Sequence, residues 1–317
     1  MRNFARSMSV LFILIGAVLV LWGADRLTDG ATALAQRLGV PQIVIGLTVV
    51  AMGTSMPEFF VSLMSAIKGT SDIAVGNVLG SNTFNTLAIV GITAMVAPMT
   101  ISKNTVRKDM PFSVVASLAL LLMCIDGEVS RWDAAILFVG FMVFLGYTLY
   151  LARKGVAQNV EVVKLENMSY WKACGLMLLG LACLVLGSHL FVDGATEVAR
   201  SLGIPDAVIG LTIVALGTSL PELATSVVAA RKGQSAIAIG NVIGSNVFNI
   251  LMILGITGLV LPMDIHSITS VDFAVLLGSI TLLWLFCYTK YTVEKWEGGV
   301  LTLAYVVYVG WLVYRVL

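Results

Sequence analysis

The chain has 317 residues, 58% hydrophobic and only 12% charged, with a mean hydropathy of +0.97. Water-soluble domains carry roughly 25% charged residues, so a compact surface made from this composition must be solvated by lipid. The 19 basic and 18 acidic side chains nearly cancel, which excludes a basic face for nucleic acid and a charged tail for a soluble partner.

A helix needs about 20 apolar residues to cross a bilayer, and ten runs of that order follow one another along the chain. The first, 8–35, is preceded by Arg2 and Arg6 but has no A-x-A-like cleavage site, so it reads as a retained helix and not as a signal peptide. Next come 42–67, 72–97, 110–126 and 132–152. The polar connection from Arg153 to Lys172 is too short for a soluble domain. Beyond it lie 171–198, 206–230, 236–261, 270–289 and 298–316. Cys124, Cys174, Cys183 and Cys287 have no CxxC spacing and read as small buried hydrophobes. Trp132, Trp171 and Trp296 fall at run ends, as interfacial anchors do.

Shifting the chain by 164 places lays Pro41–Pro98 on Pro205–Pro262 without a gap, and about 35 of the 58 positions are identical. Internal repeats of this kind are typical of transporters. Each unit holds five helices, and because five is odd the second unit enters the membrane from the opposite side. The expected fold is therefore an all-α polytopic membrane protein of ten transmembrane helices, arranged as two inverted five-helix repeats. Its parts are a first repeat over 1–152, a cytoplasmic linker over 153–170 and a second repeat over 171–317. Thirteen Lys and Arg fall on the linker side and six on the side of the termini. Basic loop residues stay in the cytoplasm, so both termini are expected outside a cell (inner or plasma) membrane.

The closest correspondence between the halves is Gly53-Thr54-Ser55-Met56-Pro57-Glu58 with Gly217-Thr218-Ser219-Leu220-Pro221-Glu222. Both motifs fall in mid-run, where an ionised side chain costs roughly 2.5–3.5 kcal/mol to insert and marks function by default. Pro57 and Pro221 lack an N–H and break their helices, freeing carbonyls that need a partner in the membrane. Thr54, Ser55, Thr218 and Ser219 add hydroxyls beside the break. Carboxylate, carbonyl and hydroxyl oxygens without thiolate or imidazole suit Ca²⁺ or Na⁺ better than zinc or copper.

A second matched pair is Gly76-Asn77-Val78-Leu79-Gly80-Ser81-Asn82-Thr83-Phe84-Asn85 with Gly240-Asn241-Val242-Ile243-Gly244-Ser245-Asn246-Val247-Phe248-Asn249. Its glycines allow close helix approach. Ser81, Asn85, Ser245 and Asn249 are expected to face the acids, while Asn77, Asn82, Asn241 and Asn246 either share that face or hydrogen-bond between helices. Asp25 and Asp29, matched by His189 and Asp193, read as helix-end solvating groups, with ion access as the alternative.

GTS-x-PE followed by GN-x-x-GSN-x-FN, occurring twice in a five-plus-five chain, resembles the cation/calcium exchanger superfamily, specifically its prokaryotic sodium/calcium exchanger branch. The resemblance covers nearly the whole chain. It implies a central diamond of four helices that holds one Ca²⁺ or several Na⁺ in turn. It further implies calcium ligands at Glu58, Glu222 and the carbonyls of Thr54 and Thr218. Sodium ligands would be Ala51, Ser55, Ser81, Glu58, Ala215, Ser219, Ser245 and Glu222, with Asn85 and Asn249 lining the centre. One departure stands out: many relatives have an aspartate where this chain has Asn249, an acid tied to potassium use in some of them.

The function expected is secondary antiport of Ca²⁺ against Na⁺ by alternating access, with the two ions competing for a site on Glu58 and Glu222. Proton/calcium exchange is the nearest alternative, because a low dielectric favours the protonated form of a carboxyl group. Another divalent substrate such as Mn²⁺ and a passive cation channel remain further alternatives. No HExxH, phosphate-binding loop or nucleophile–base pair points to an enzyme. No cofactor, nucleotide or nucleic acid is called for; the partners are the lipid bilayer and the transported ions, and the chain is expected to work as a monomer.

Overall fold

The computed structural model describes residues 2–153, 168–204, 209, 213, 215–266 and 268–316. Among these the chain is helical almost throughout, interrupted by four two-residue strands. Hydrocarbon offers backbone groups no hydrogen bonds, so each segment must pair its own, and helices do so. In order they are α1 (Arg2–Leu38), α2 (Gln42–Thr54), α3 (Met56–Ile67), α4 (Ser71–Val96), α5 (Met110–Met123) and α6 (Arg131–Arg153), then α7 (Tyr170–Ser201), α8 (Ala215–Thr218), α9 (Leu220–Arg231), α10 (Ser235–Val260), α11 (Ser270–Lys290) and α12 (Lys295–Val316). Seven are long and apolar enough to cross a membrane, and α2 with α3, bent by 47°, makes an eighth. The chain is a polytopic, helical membrane-type protein.

Helix ends fall close to the expected runs, with local reasons where they differ. α1 extends to Leu38, where Gly39 at φ +63° turns the chain before Pro41; Gly203 at φ +81° follows α7 in the same way. α5 ends at Met123 instead of 126 and is entered through a wider π turn over Thr105–Asp109. The expected linker lies outside the described residues except at its two ends, as does most of the start of the 206–230 run.

The inner and outer helices differ in burial. Of the apolar windows of α4 and α10, 83% and 94% are buried, against 28% for α1, α6 and α7. Trp132 and Trp171, 82% and 81% exposed, stand out at helix starts where anchors were expected.

α1 and α7 run antiparallel in close contact. A Cβ on Gly16 would lie 2.6 Å from the carbonyl oxygen of Gly187, and one on Gly180 would lie 2.7 Å from that of Gly23. Only hydrogen fits there, so the glycines let the two backbones touch. The contacts are reciprocal under the 164-residue offset: 16 meets 187, and 23 meets 180. The strands repeat this pattern. β1 (Met99–Thr100) pairs antiparallel with β4 (Thr292–Val293), Met99 opposite Val293; β2 (Glu128–Val129) pairs with β3 (Met263–Asp264), Val129 opposite Met263. α5 separates β1 from β2, so the two ribbons lie at opposite ends of the bundle.

Candidate functional site

The helix breaks position the two acids. α2 ends at Thr54, Ser55 leaves helical geometry at φ −85°, ψ 10°, and α3 begins at Met56. Ser219 does the same at φ −91°, ψ 9° between α8 and α9. The break falls two residues before each proline and not at it. Pro57 and Pro221 thereby occupy the first turn of a new helix, where no N–H is required. Helical bonding resumes with Phe59 N–H to the Ser55 carbonyl at 3.1 Å and Leu223 N–H to the Ser219 carbonyl at 3.1 Å. Glu58 and Glu222 follow in that first turn, both fully buried, at the end of a helix whose dipole favours negative charge.

Each acid is held by the opposite half of the chain. Ser55 Oγ donates to Glu222 Oε1 at 2.7 Å, and Ser219 Oγ donates to Glu58 Oε1 at 2.8 Å. The hydroxyls of Thr54 and Ser245 lie beside Glu222, that of Thr218 lies beside Glu58, and the two carboxylates are near enough for their charges to interact. Behind each acid an asparagine fixes the backbone. Asn77 Nδ2 donates to the Glu58 carbonyl at 3.2 Å and to Ser62 Oγ at 3.0 Å; Asn241 Nδ2 donates to the Glu222 carbonyl at 3.3 Å and to Ser226 Oγ at 3.1 Å. Thr54 Oγ1 shares its proton among the carbonyls of Val50 and Ala51 and Asn241 Oδ1.

The centre between α4 and α10 is amide-rich. Asn85 Nδ2 donates to Asn246 Oδ1 at 3.1 Å, and Asn249 Nδ2 donates to Asn82 Oδ1 at 3.0 Å. Four carboxylate and amide oxygens then remain buried without a hydrogen-bond partner, Glu58 Oε2, Glu222 Oε2, Asn85 Oδ1 and Asn249 Oδ1, as does the Ser245 hydroxyl. An unpaired buried acceptor costs roughly 1–3 kcal/mol, and more when charged. Two matched pairs of them, with no Lys, Arg or His among the described residues ion-paired to the acids, make a centre able to accept a hard cation.

Of the expected ligands, Thr54, Ser55, Glu58, Ser219 and Glu222 meet around the breaks. Ser81 and Ser245 are buried on α4 and α10. The Ala51 carbonyl already accepts from Ser55 N–H at 3.0 Å and from the Thr54 hydroxyl. Ala215 opens α8. Asn77, Asn82, Asn241 and Asn246 all bond between helices, and Asn82 and Asn246 also hold the central amides. Ser62 and Ser226 were missed, although they are identical in the two halves and stand one turn after each acid.

The expectation for Asp25 and Asp29 needs correction. They are not solvated helix ends: Lys232 Nζ lies 2.6 Å from Asp25 and 2.7 Å from Asp29, tying mid-α1 to the loop after α9, while Arg26 pairs with Asp25 at 2.8 Å. The equivalent groups Lys68, His189 and Asp193 are exposed. α1 packs on α9, whereas α7 has almost no contact with α3.

Fold and site together define a polytopic helical membrane protein with a buried, oxygen-lined centre. The profile of the family described as "Sodium/calcium exchanger protein" matches residues 8–150 and again 172–314. The putative antiporter CaxA of Alkalimonas amylolytica is 36% identical over 309 residues, covering 95% of this chain and 97% of that one. The sodium/calcium exchanger MaX1 of Methanosarcina acetivorans is 32% identical, covering 97% and 99%. A solved structure of the sodium-calcium exchanger NCX_Mj superposes with a TM-score of 0.84 at 31% identity, covering 96% of this chain and 98% of that one. This chain belongs to the sodium/calcium exchanger family: it is a transporter of the cation/Ca²⁺ exchanger class.

Proposed function

We propose that the protein exchanges Ca²⁺ for Na⁺ across the cell membrane by alternating access, the two ions competing for one site on Glu58 and Glu222. The observation that carries this reading is the set of four partnerless buried acceptors, two carboxylate and two amide oxygens, lying in offset-related pairs. Two carboxylates give the centre a charge near −2, which one Ca²⁺ neutralises, so a dehydrated ion is tolerated in mid-membrane. Glu58, Glu222 and the carbonyls of Thr54 and Thr218 would bind Ca²⁺. Na⁺ would use the same carboxylates with Ser55, Ser81, Ser219 and Ser245 and the carbonyls of Ala51 and Ala215, with Asn85 and Asn249 lining the centre. Shared carboxylates couple the two fluxes, because Ca²⁺ and Na⁺ exclude one another. Structures of NCX_Mj are described as soaked with Na⁺, Ca²⁺ or Sr²⁺, in keeping with such a site.

The reading extends to ten helices in two inverted repeats. A two-fold axis relating antiparallel helices lies perpendicular to them, hence in the membrane plane. The reciprocal contacts of α1 with α7, of β1–β4 with β2–β3 and of Ser55–Glu222 with Ser219–Glu58 all support that axis. Around the β1–β4 ribbon stand five basic residues, Lys103, Arg107, Lys108, Lys290 and Lys295, beside the acids Asp109, Glu294 and Glu297, whereas around the β2–β3 ribbon Arg131 is accompanied by Asp126, Glu128, Asp133 and Asp264. This asymmetry favours a cytoplasmic β1–β4 end with both termini outside. Alternating access would come from α1 and α7 sliding together across the core. Their one-sided packing on α9, with the Lys232 cluster, supports one of two such positions.

Reconstitution in sealed vesicles tests the function. A Na⁺ gradient is expected to drive ⁴⁵Ca²⁺ uphill with the proton gradient collapsed. Flux that follows pH and ignores Na⁺ would assign the protein to proton exchange instead, and purely downhill flux to a channel.

A further inference from the structure

Asn85 and Asn249 each present an amide with two chemically opposite ends to the centre. Turned one way, the amide offers an oxygen to a cation; turned the other, it aims an NH₂ donor at the ion. Sequence does not choose between these, but the surrounding bonds do.

Asn249 Nδ2 donates to Asn82 Oδ1, and Asn82 Nδ2 donates to the backbone carbonyl of Asn246 at 3.0 Å. A carbonyl only accepts, so Asn82 cannot flip without setting oxygen against oxygen, and Asn249 is held by Asn82 in turn. The other half is anchored differently. Asn85 Nδ2 donates to Asn246 Oδ1, and Asn246 Nδ2 donates to Thr86 Oγ1 at 2.9 Å. The Thr86 hydroxyl donates its only proton to the Asn82 carbonyl at 2.8 Å, so its oxygen can only accept. Both chains of bonds therefore end on a backbone carbonyl, and every side chain in them is at most 2% exposed. The atoms left unpaired are Asn85 Oδ1 and Asn249 Oδ1.

We propose that Asn82, Asn246 and Thr86 are positioning residues: they lock the Asn85 and Asn249 amides with their oxygens toward the transported cation and their NH₂ groups away from it. This rests on the reading that the ions occupy the centre between Glu58 and Glu222. The locked amides supply neutral, non-titrating oxygen ligands, so they complete the ion's shell without adding charge to the acid pair. Thr86 is specific to the first half, since the matching residue is Ile250, and it stands in for the direct amide-to-carbonyl bond that Asn82 makes.

The test compares apparent Ca²⁺ affinity and maximal rate in vesicles, with equilibrium ⁴⁵Ca²⁺ binding in detergent as the second readout. Asn82→Leu keeps the side-chain shape but frees Asn249 to turn, and is expected to weaken Ca²⁺ binding about tenfold with the maximal rate retained. In an Asn249→Asp background the same change is expected to cost less than twofold or to improve binding, because a carboxylate presents oxygen at both ends and loses the opposing acceptor Asn82 Oδ1. Thr86→Val is expected to mimic the loss through Asn246 and Asn85, and Thr86→Ser to restore binding; this pair keeps the test open should Asn82→Leu fold poorly. Equal losses from Asn82→Leu in both backgrounds, or unchanged affinity in Thr86→Val, would overturn the proposal. If the unsubstituted protein binds Ca²⁺ but shows no Na⁺-driven flux, the exchange reading fails while the binding comparison still decides the role of the amides.

Discussion

Replacing Glu222 by glutamine probes the acid pair with the least change in shape. Ser55 Oγ donates to Oε1 of this residue; with the amide oxygen kept at that position, its NH₂ stands where Oε2 was. The variant thus removes a charge and also aims a donor at the ion. A carboxylate about 2.4 Å from Ca²⁺ interacts with it by roughly 14 kcal/mol at an effective dielectric constant of about 20. Several kcal/mol of that are offset because the variant no longer buries a charge. A net loss of at least ~4 kcal/mol is expected, about a thousandfold in Ca²⁺ affinity. Calorimetric titration of purified protein measures this directly. The ion-free variant should melt no lower than the parent, since an uncompensated buried charge is gone, and Ca²⁺ should no longer raise its Tm. Binding within threefold of the parent would refute the reasoning, as would a variant that has lost its fold.

Gly180→Val should cost several kcal/mol, because even its Cβ would press on the Gly23 carbonyl at 2.7 Å. Gly175→Ala on the same helix, with open space around it, should be neutral or slightly stabilising in a melting assay. Lys232→Gln removes two partly exposed ion pairs worth at most about 1 kcal/mol each. It should shift cysteine labelling of α1 and α9 toward the other access state by up to about thirtyfold while equilibrium Ca²⁺ affinity changes little. Unchanged labelling would remove the cluster from the transport cycle. Asn249→Asp puts an acid against the acceptor Asn82 Oδ1, a position satisfied only when the acid is protonated. Its Ca²⁺ flux should therefore gain a titrating step beyond any that Glu58 and Glu222 give the parent, seen in paired pH profiles.

The repeat, the two kinks and the buried acids were legible in the sequence because each follows from local chemistry: a 164-residue offset, prolines without N–H, and carboxylates in apolar runs. What could not be read were partners fixed only by packing. Ser55 serves Glu222 and not its own neighbour Glu58, since the opposed half-helices bring each break against the other's acid. Lys232 reaches Asp25 across 207 residues, which no spacing rule anticipates. The break sits at Ser55 and not at Pro57 because a proline is best accommodated inside the first turn of a new helix. Asn82 and Asn246 stood in the matched motif, but whether they face the ion or another amide depends on the roll of α4 against α10. The mismatch of Thr86 with Ile250, inside an otherwise similar block, was the visible trace of that arrangement.

The central claim is that two metals take turns on one pair of buried carboxylates. Ca²⁺ titrated against Na⁺, with anomalous density recorded from crystals grown at each ratio, tests it most directly. One Ca²⁺ per chain between Glu58 and Glu222, lost as Na⁺ rises and with its binding isotherm shifted by Na⁺, is the expected result; Ca²⁺ bound away from these residues, or retained there unchanged at saturating Na⁺, would contradict it.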